Sequence, residues 1–285
     1  MTSLFLNPLL IDKVVRAALE EDSGRAGDIT SNACIPEGTQ ARAVLAPRKP
    51  GTISGLSVAE AAFKLTDPTI KYEYRAKDGD EIPAPRTPVA RIPGDARAIL
   101  TAERTALNFI CHMSGIATMT AKLVALTKHT KAKVICTRKT TPNLRAFEKY
   151  AIRCGGGMNH RFGLDDAVLI KDNHIAVCGG IKPALRAAKA SVGHLVKIEI
   201  EVDGLDQLKE VIEEGADVVL FDNMSLAEMA EGVKMVAGRM KIEASGGISG
   251  ETAKAVAETG VDMLSSGALT HSAPILDLGL DIEIG

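Results

Sequence analysis

The feature that most constrains the fold is a repeating order of short apolar runs and helical stretches, beginning near Val134. The runs are KVICT (133–137), AVLIK (167–171), LVKIEIEV (195–202), ADVVLF (216–221), MKIEAS (240–245) and VDMLSS (261–266). Apolar runs of this length suit strands that are covered on both faces, so we predict buried parallel strands. Strand–helix units at this spacing predict either a doubly wound sheet or an α/β barrel.

The residues that follow these runs favour the barrel. Charged or glycine-rich positions stand at every predicted strand end: Arg138 and Lys139, Lys171 and Asp172, Glu201, Asp222 and Asn223, Ser245-Gly246-Gly247, and Ser266-Gly267-Ala268. In α/β barrels the functional groups collect at the carboxyl ends of the strands. We therefore expect these residues to surround one site.

The first part of the chain has a different composition. Residues 40–94 combine Pro and Gly with alternating β-forming residues, which predicts a small antiparallel sheet. A helical stretch over 95–130 follows, and Gly115 is expected to divide it into two helices. We predict an N-terminal domain over 1–113, a barrel over 114–273, and a segment over 274–285 that returns to the N-terminal domain.

Charge and hydropathy exclude several functions. The chain has 285 residues, a formal net charge of −2 and a pI near 6.3, so the broad basic surface of a nucleic-acid-binding protein is not expected. No apolar run approaches the ~20 residues that span a bilayer. The N-terminus lacks the basic start of a signal peptide and has the pattern of an amphipathic helix, so we expect a cytoplasmic protein.

The basic residues are concentrated between 137 and 175, which indicates a small anionic ligand. The residues of this basic half are Arg138, Lys139, His160, Arg161 and Lys171. Arginine suits carboxylates, because its planar group donates two hydrogen bonds at once, and lysine suits phosphates as a point charge. Arg145, Lys149 and Arg153 recur every four residues on a predicted helix and are expected to form its outer charged face.

The glycine turns and two carboxylates complete the expected site. Gly246-Gly247 and Gly267 resemble phosphate-binding turns, where the backbone approaches closely and a following helix N-terminus adds N–H donors. Glu201 and Asp222 at neighbouring strand ends suit Mg²⁺, which uses few carboxylates together with phosphate oxygens. They also suit a cationic transition state, or an ion network with the lysines. Glu199 is assigned no role.

The sequence resembles quinolinate phosphoribosyltransferases. The likeness is carried by TRKTTPNLR (137–145), KYAIRCGGGMNHRFGLDDAVLIKDNH (149–174), LTAERTALNF (100–109) and SGALTHSAPILDLGL (266–280), and it extends to EDSGRAGDITS near the N-terminus. The resemblance implies an open α/β barrel of about six to seven strands with an N-terminal α+β sandwich domain. It also implies conversion of quinolinate and phosphoribosyl pyrophosphate (PRPP) to nicotinate mononucleotide, pyrophosphate and CO₂ with Mg²⁺, in NAD biosynthesis.

The resemblance further implies a role for individual residues. Quinolinate would be bound by Arg138, His160, Arg161, Lys171 and by Arg104 of the partner subunit in a homodimer. PRPP and Mg²⁺ would be bound by Lys139, Glu201, Asp222, Asn223, Ser245, Gly246, Gly247 and Gly267. Lys139, Lys171, Glu201 and Asp222 are the expected catalytic residues, with Glu201 and Asp222 nearest the metal.

Other functions remain open at this point. A paralogous pyrophosphorylase, such as the molybdenum-transport-associated relatives, or a nicotinate phosphoribosyltransferase would use the same fold. Lys171 at a strand end would also serve as the Schiff-base lysine of an aldolase-like barrel. A non-catalytic metabolite sensor would leave the pair Glu201 and Asp222 unexplained.

Overall fold

The computed structural model of the chain describes residues 5–284, and side chains up to residue 282. The helices are α1 (Pro8–Ser23), α2 (Ile29–Cys34), α3 (Leu56–Thr66), α4 (Ala96–Thr127), α5 (Arg145–Cys154), α6 (Asp172–Cys178), α7 (Ile181–Ser191), α8 (Leu205–Glu214), α9 (Leu226–Val236), α10 (Ala253–Glu258) and α11 (Ala268–His271). The strands are β1 (Gln40–Pro47), β2 (Gly51–Thr52), β3 (Glu73–Tyr74), β4 (Glu81–Ile82), β5 (Ala90–Asp95), β6 (Lys133–Ile135), β7 (Val168–Ile170), β8 (Ile198–Val202), β9 (Val218–Asp222), β10 (Lys241–Ser245), β11 (Met263–Ser265) and β12 (Leu278–Ile284).

These elements form two compact units. One contains residues 1–121, 146–156 and 273–285, and the other contains residues 122–145 and 157–272. The boundary between the units passes through α4, which belongs to both. The parallel sheet lies in the second unit and the antiparallel sheets lie in the first.

The second unit contains the predicted parallel strands, one in each of the six apolar runs. The strand order is β6-β11-β10-β9-β8-β7, and every adjacent pair is parallel. Among the described residues β6 and β7 are the edge strands and do not pair with each other, so the sheet is open. The open α/β barrel predicted from the sequence is confirmed, and its strands bury residues such as Ile200, Val219, Phe221 and Leu264 completely.

Aspartates fix the starts of the strands in this sheet. The Oδ2 atom of Asp262 accepts a hydrogen bond of 3.0 Å from the backbone N–H of Ile242, at the start of β10. Its Oδ1 atom lies 3.1 Å from Nζ of Lys131 and 3.4 Å from Nζ of Lys241. Asp217 makes the same kind of contact at the start of β8. A carboxylate therefore replaces water at the amino edge of the sheet and aligns neighbouring strands.

The first unit is an α+β domain with an antiparallel sheet in the order β12-β1-β5-β3, and β2 and β4 form a second small sheet. The C-terminal strand β12 pairs with β1 over its whole length, with Leu45 opposite Leu280. Arg48 binds Asp281 through both of its terminal nitrogens, at 2.7 and 2.9 Å, and this contact holds the end of the chain on the sheet.

Helix α4 is continuous, so the prediction of a break at Gly115 was wrong. A Cβ atom at this position would lie 2.8 Å from the Cα atom of Ile275 and closer still to the carbonyl oxygen of Pro274. Gly115 therefore serves close packing of the C-terminal segment, which offsets the roughly 1 kcal/mol that glycine costs inside a helix. By length and composition alone α4 meets the criteria for a membrane span, but half of its most apolar window is buried within the protein.

Helix α5 differs from the sequence prediction on its charged side. Lys149 is completely buried, although we expected it on an outer charged face with Arg145 and Arg153. Glu148 is also completely buried and lies 2.9 Å from Nε2 of His112. The helix is covered on most sides by its own unit, so the four-residue spacing of charges did not indicate a solvent face.

We predict that Asp262→Ala lowers the free energy of unfolding by about 1–3 kcal/mol at neutral pH, because the Ile242 N–H loses its partner. Burial alone would raise the pKa of Asp262. The hydrogen bond from Ile242 and the contact with Lys131 nevertheless hold this pKa below its usual 3.8. The depressed pKa means that this contribution is present above pH 3.8 and is lost as the pH falls. Urea unfolding at pH 7 and at pH 3 measures the difference, which should shrink at pH 3.

Asp206→Ala is the matched control, because Asp206 is exposed and pairs with Lys209 on the surface of α8. It should change stability little at either pH. Equal effects of the two substitutions would contradict the role assigned to Asp262.

Candidate active site

A cavity of about 540 Å³ lies at the carboxyl edge of the parallel sheet. Pairs of residues two apart on a strand line it, such as Leu220 with Asp222 on β9 and Glu243 with Ser245 on β10, because alternate residues share a strand face. The predicted site residues that line it are Arg138, Lys139, His160, Arg161, Lys171, Asp222, Asn223, Ser245, Gly246, Gly247 and Gly267. The strand ends thus bring most of the predicted site together.

Two arginines place positive charge in this cavity. Burial, and then the neighbouring charge of Arg138, lower the pKa of the Arg161 guanidinium. Nε of Arg138 is buried and has no hydrogen-bond partner among the described residues. Nη1 of Arg161 donates to the carbonyl oxygen of Ala167 at 3.0 Å, which fixes its direction. Two like charges with an unused donor are the arrangement that an anion between them would stabilise.

Lys139 is held by the loop that follows the last strand of the sheet. The hydroxyl of Thr270, which is buried on α11, donates to the carbonyl oxygen of Lys139 at 2.7 Å. A Cβ atom on Gly267 would lie 2.9 Å from Cδ of Lys139 and 3.1 Å from Nε2 of His271. Gly267 is therefore needed for the lysine stem to pass, and α11 begins immediately after it.

The other glycine turn is shaped by Asn223. Asn223 has a left-handed φ of 55°, and its backbone N–H donates to the carbonyl oxygen of Ser245 at 3.0 Å. Its side-chain amide donates to Oδ2 of Asp222 at 2.8 Å. A Cβ atom on Gly246, whose φ is 92°, would lie 2.9 Å from the backbone nitrogen of Asn223. The expected helix N-terminus is not adjacent, because α10 begins only at Ala253.

Two predicted site residues do not line the cavity. Glu201 instead pairs with Nζ of Lys171, at 2.5 Å from its Oε2 atom, and so holds a lysine that does line it. Arg104 is exposed on α4 in the other compact unit.

The sequence analysis missed several residues that the structure brings to the cavity. Glu243 lines it, and Glu199 lies behind His160, with its Oε2 atom 3.0 Å from Nε2 of that ring. The other lining residues without a predicted role are Thr137, Leu169, Leu220, Ile248, Ser265, Ser266, Ala268 and His271. The two-residue alternation Glu199-Ile200-Glu201 was the available signal, since it places both carboxylates on one strand face.

An open parallel α/β sheet with basic residues, carboxylates and glycine turns at its carboxyl edge defines a barrel enzyme that acts on phosphorylated anions. The models for the N-terminal and C-terminal domains of quinolinate phosphoribosyl transferase match residues 28–114 and 116–281. The chain belongs to the quinolinate phosphoribosyl transferase family.

Individual relatives are similar over nearly the whole chain. Nicotinate-nucleotide pyrophosphorylase [carboxylating] of Mycobacterium leprae is 45% identical, and the match covers 94% of this chain and 95% of the relative. A probable enzyme of the same name from Bacillus subtilis is 41% identical, with 98% and 96% covered. The crystal structure of NadC from Streptococcus pyogenes superposes with a TM-score of 0.94 at 41% identity, with 99% of each chain covered.

We predict that Gly267→Ala weakens binding of inorganic pyrophosphate about ten-fold, because the added methyl displaces the Lys139 side chain. Isothermal titration calorimetry measures this binding. Gly250→Ala is the control, since no atom lies within 4 Å of the position of its Cβ atom. Unchanged binding in Gly267→Ala would show that Lys139 does not contact the anion.

Proposed function

We propose that this protein transfers the phosphoribosyl group of PRPP to quinolinate and releases pyrophosphate and CO₂, giving nicotinate mononucleotide for NAD biosynthesis. The observation that carries the proposal is the pair Arg138 and Arg161, whose charges face one cavity with a buried Nε atom unused. Quinolinate has two adjacent carboxylates, and guanidinium groups suit carboxylates because they donate paired hydrogen bonds. The names of the relatives support the same reaction.

Quinolinate would occupy the basic half of the cavity. Arg138, Arg161 and Lys171 supply its positive charge, and His160 lies beside them. The ion pair between Lys171 and Glu201 keeps the lysine in one direction before substrate arrives. A carboxylated ring then meets cations that are already oriented, which lowers the cost of binding.

PRPP would occupy the half lined by the glycine turns. Lys139 would bind phosphate oxygens, and Asp222 and Asn223 lie beside Gly246 at the neighbouring strand ends. The remaining residues proposed to bind PRPP are Ser245, Gly247, Gly267 and Glu201. Glu201 would act from its ion pair with Lys171. Backbone atoms at glycine approach a phosphate closely because no Cβ atom intervenes.

The reaction needs no covalent bond to the protein. The bond between C1 of ribose and pyrophosphate breaks, its electron pair leaves with pyrophosphate, and the quinolinate nitrogen attacks C1. The C2–carboxylate bond then breaks and CO₂ departs; its electron pair stays on C2, where the adjacent positive ring nitrogen stabilises it, and C2 takes up a proton. Lys139 and Lys171 would stabilise anionic groups, and Asp222 and Glu201 would stabilise the cationic ribose.

Mg²⁺ is the proposed cofactor, and the residues present fit it. Asp222 offers a carboxylate within the cavity, oriented by Asn223, and Glu201 offers a second at the adjacent strand end. Mg²⁺ binds few carboxylates and completes its shell with waters and substrate phosphates. When bound it would neutralise the pyrophosphate.

Lys171 is poorly suited to the alternative aldolase-like reaction. A Schiff base forms from a neutral amine. The Nζ atom of Lys171 is instead engaged as the cation of an ion pair with Glu201. Two further alternatives are a nicotinate phosphoribosyltransferase and a paralogous pyrophosphorylase. Turnover with quinolinate and with nicotinate distinguishes them from the proposed function. We propose that the enzyme is cytoplasmic, whichever of these reactions it catalyses.

Turnover with PRPP and Mg²⁺ tests the function, with quinolinate and nicotinate offered separately and with nucleotide and CO₂ measured. We expect product and one CO₂ from quinolinate and no product from nicotinate. Arg138→Lys should raise the quinolinate KM about ten-fold, because an ammonium replaces a two-pronged donor. Arg186→Lys, an exposed position on α7, is the control. Product from nicotinate and none from quinolinate would show that quinolinate is not the substrate.

We also propose a homodimer in which the partner subunit's Arg104 completes the site. Arg104→Ala and Lys139→Ala should each be inactive alone. Mixing them in equal amounts after reversible dissociation should restore about a quarter of wild-type activity, because half of the dimers are mixed and each of these has one intact site. No recovery in verified mixed dimers would contradict a shared site.

A further inference from the structure

Behind the basic half of the cavity lies a buried cluster of His160, Glu199 and Glu243. Nε2 of His160 lies 3.0 Å from Oε2 of Glu199 and 3.6 Å from Oε2 of Glu243. The side chains of the three residues are 11%, 9% and 3% exposed, respectively. They come from different parts of the chain, namely β8, β10 and the segment after α5, so the cluster is a product of the fold.

Both ring nitrogens of His160 are engaged by the protein. Nδ1 accepts a hydrogen bond of 2.7 Å from the backbone N–H of Arg161, so this nitrogen carries no proton. Nε2 therefore carries the proton and donates a hydrogen bond to Oε2 of Glu199.

The second carboxyl of the cluster limits its negative charge. Burial, followed by the charge of Glu199, raises the pKa of Glu243 well above its usual value, which favours the neutral form of this carboxyl. The hydroxyl of Ser265 also forms a hydrogen bond with Glu243. The cluster thus places one imidazole beside two buried carboxyl groups, and each group restricts the position of the next.

We propose that Glu199 and Glu243 are positioning residues that hold His160, and through it the backbone of Arg161, so that the Arg161 guanidinium is oriented for quinolinate. Two contacts connect these residues: Nε2 of His160 contacts Glu199, and Nδ1 of the same ring accepts a hydrogen bond from the backbone N–H of Arg161. The effect on quinolinate rests on the proposed function. The geometry of the His160 ring does not depend on it.

The test combines kinetics with a spectroscopic measurement. Glu199→Ala and Glu243→Ala should each raise the quinolinate KM about ten-fold while the PRPP KM changes less than about two-fold. Glu243→Gln should keep wild-type values, because the amide has the shape of the carboxyl and carries no charge in this buried position. Ile242→Val, buried in the same strand and outside the cluster, is the control for packing: its melting temperature should fall without a change in either KM.

¹⁵N NMR of histidine-labelled protein reports the His160 ring without any substrate. We expect one neutral ring protonated at Nε2 in the wild type and in Glu243→Gln, and loss of this signal or tautomer averaging in Glu199→Ala. Wild-type protein that shows this signal but does not turn over quinolinate would contradict the proposed function alone.

Three results would overturn the inference itself. The first is an Nδ1-protonated or doubly protonated ring in the wild type. The second is an equal rise of both KM values in Glu243→Ala. The third is one tightly bound transition-metal ion per chain, detected by elemental analysis and lost in Glu243→Ala, which would make the cluster a metal site.

Discussion

The site depends on keeping charges of both signs partly out of water at one edge of a parallel sheet. Burying an unpaired charge is costly, and the cost falls only when opposite charges or hydrogen bonds lie within contact distance. The ion pair between Lys171 and Glu201 meets this condition directly. Arg138 and Arg161 meet it only in part: Arg161 donates to the carbonyl oxygen of Ala167, but Nε of Arg138 has no hydrogen-bond partner among the described residues. An anion bound in the cavity would satisfy this unused donor.

The parallel strands and most of the site could be predicted from the sequence, for one physical reason. Strands covered on both faces are mostly apolar, so most charged residues lie where a strand ends. All six predicted strands were found, and their ends brought Arg138, Lys171 and Asp222 to one cavity. Glu199 and Glu243 escaped prediction because they lie inside strands, where a carboxyl is tolerated only if the fold supplies a distant partner. Their partner, His160, is 39 residues from one and 83 from the other.

The errors in the first unit have a similar cause. Gly115 resembles a helix break, but the C-terminal segment packs against its backbone from 160 residues away, measured to Ile275. Lys149 has the spacing of an exposed face, but its helix is enclosed by the unit that contains it. In both cases a contact between distant parts of the chain overrode a correct local pattern. Local propensity describes what a segment prefers alone, and tertiary packing decides when the two conflict.

A buried carboxyl group such as Glu199, placed behind a site for two anionic substrates, would be expected to weaken their binding by repulsion. The free protein, however, must also be stable, and cations left unpaired at the carboxyl edge would destabilise it. Glu201 pairs with Lys171 and Glu199 with His160 there, while burial raises the pKa of Glu243 and so limits the negative charge. Because Glu199 contacts His160 and not the guanidinium groups, it stabilises the loop without occupying the donors of Arg138. The carboxyl groups can therefore support the free site and still leave its binding groups available to substrate.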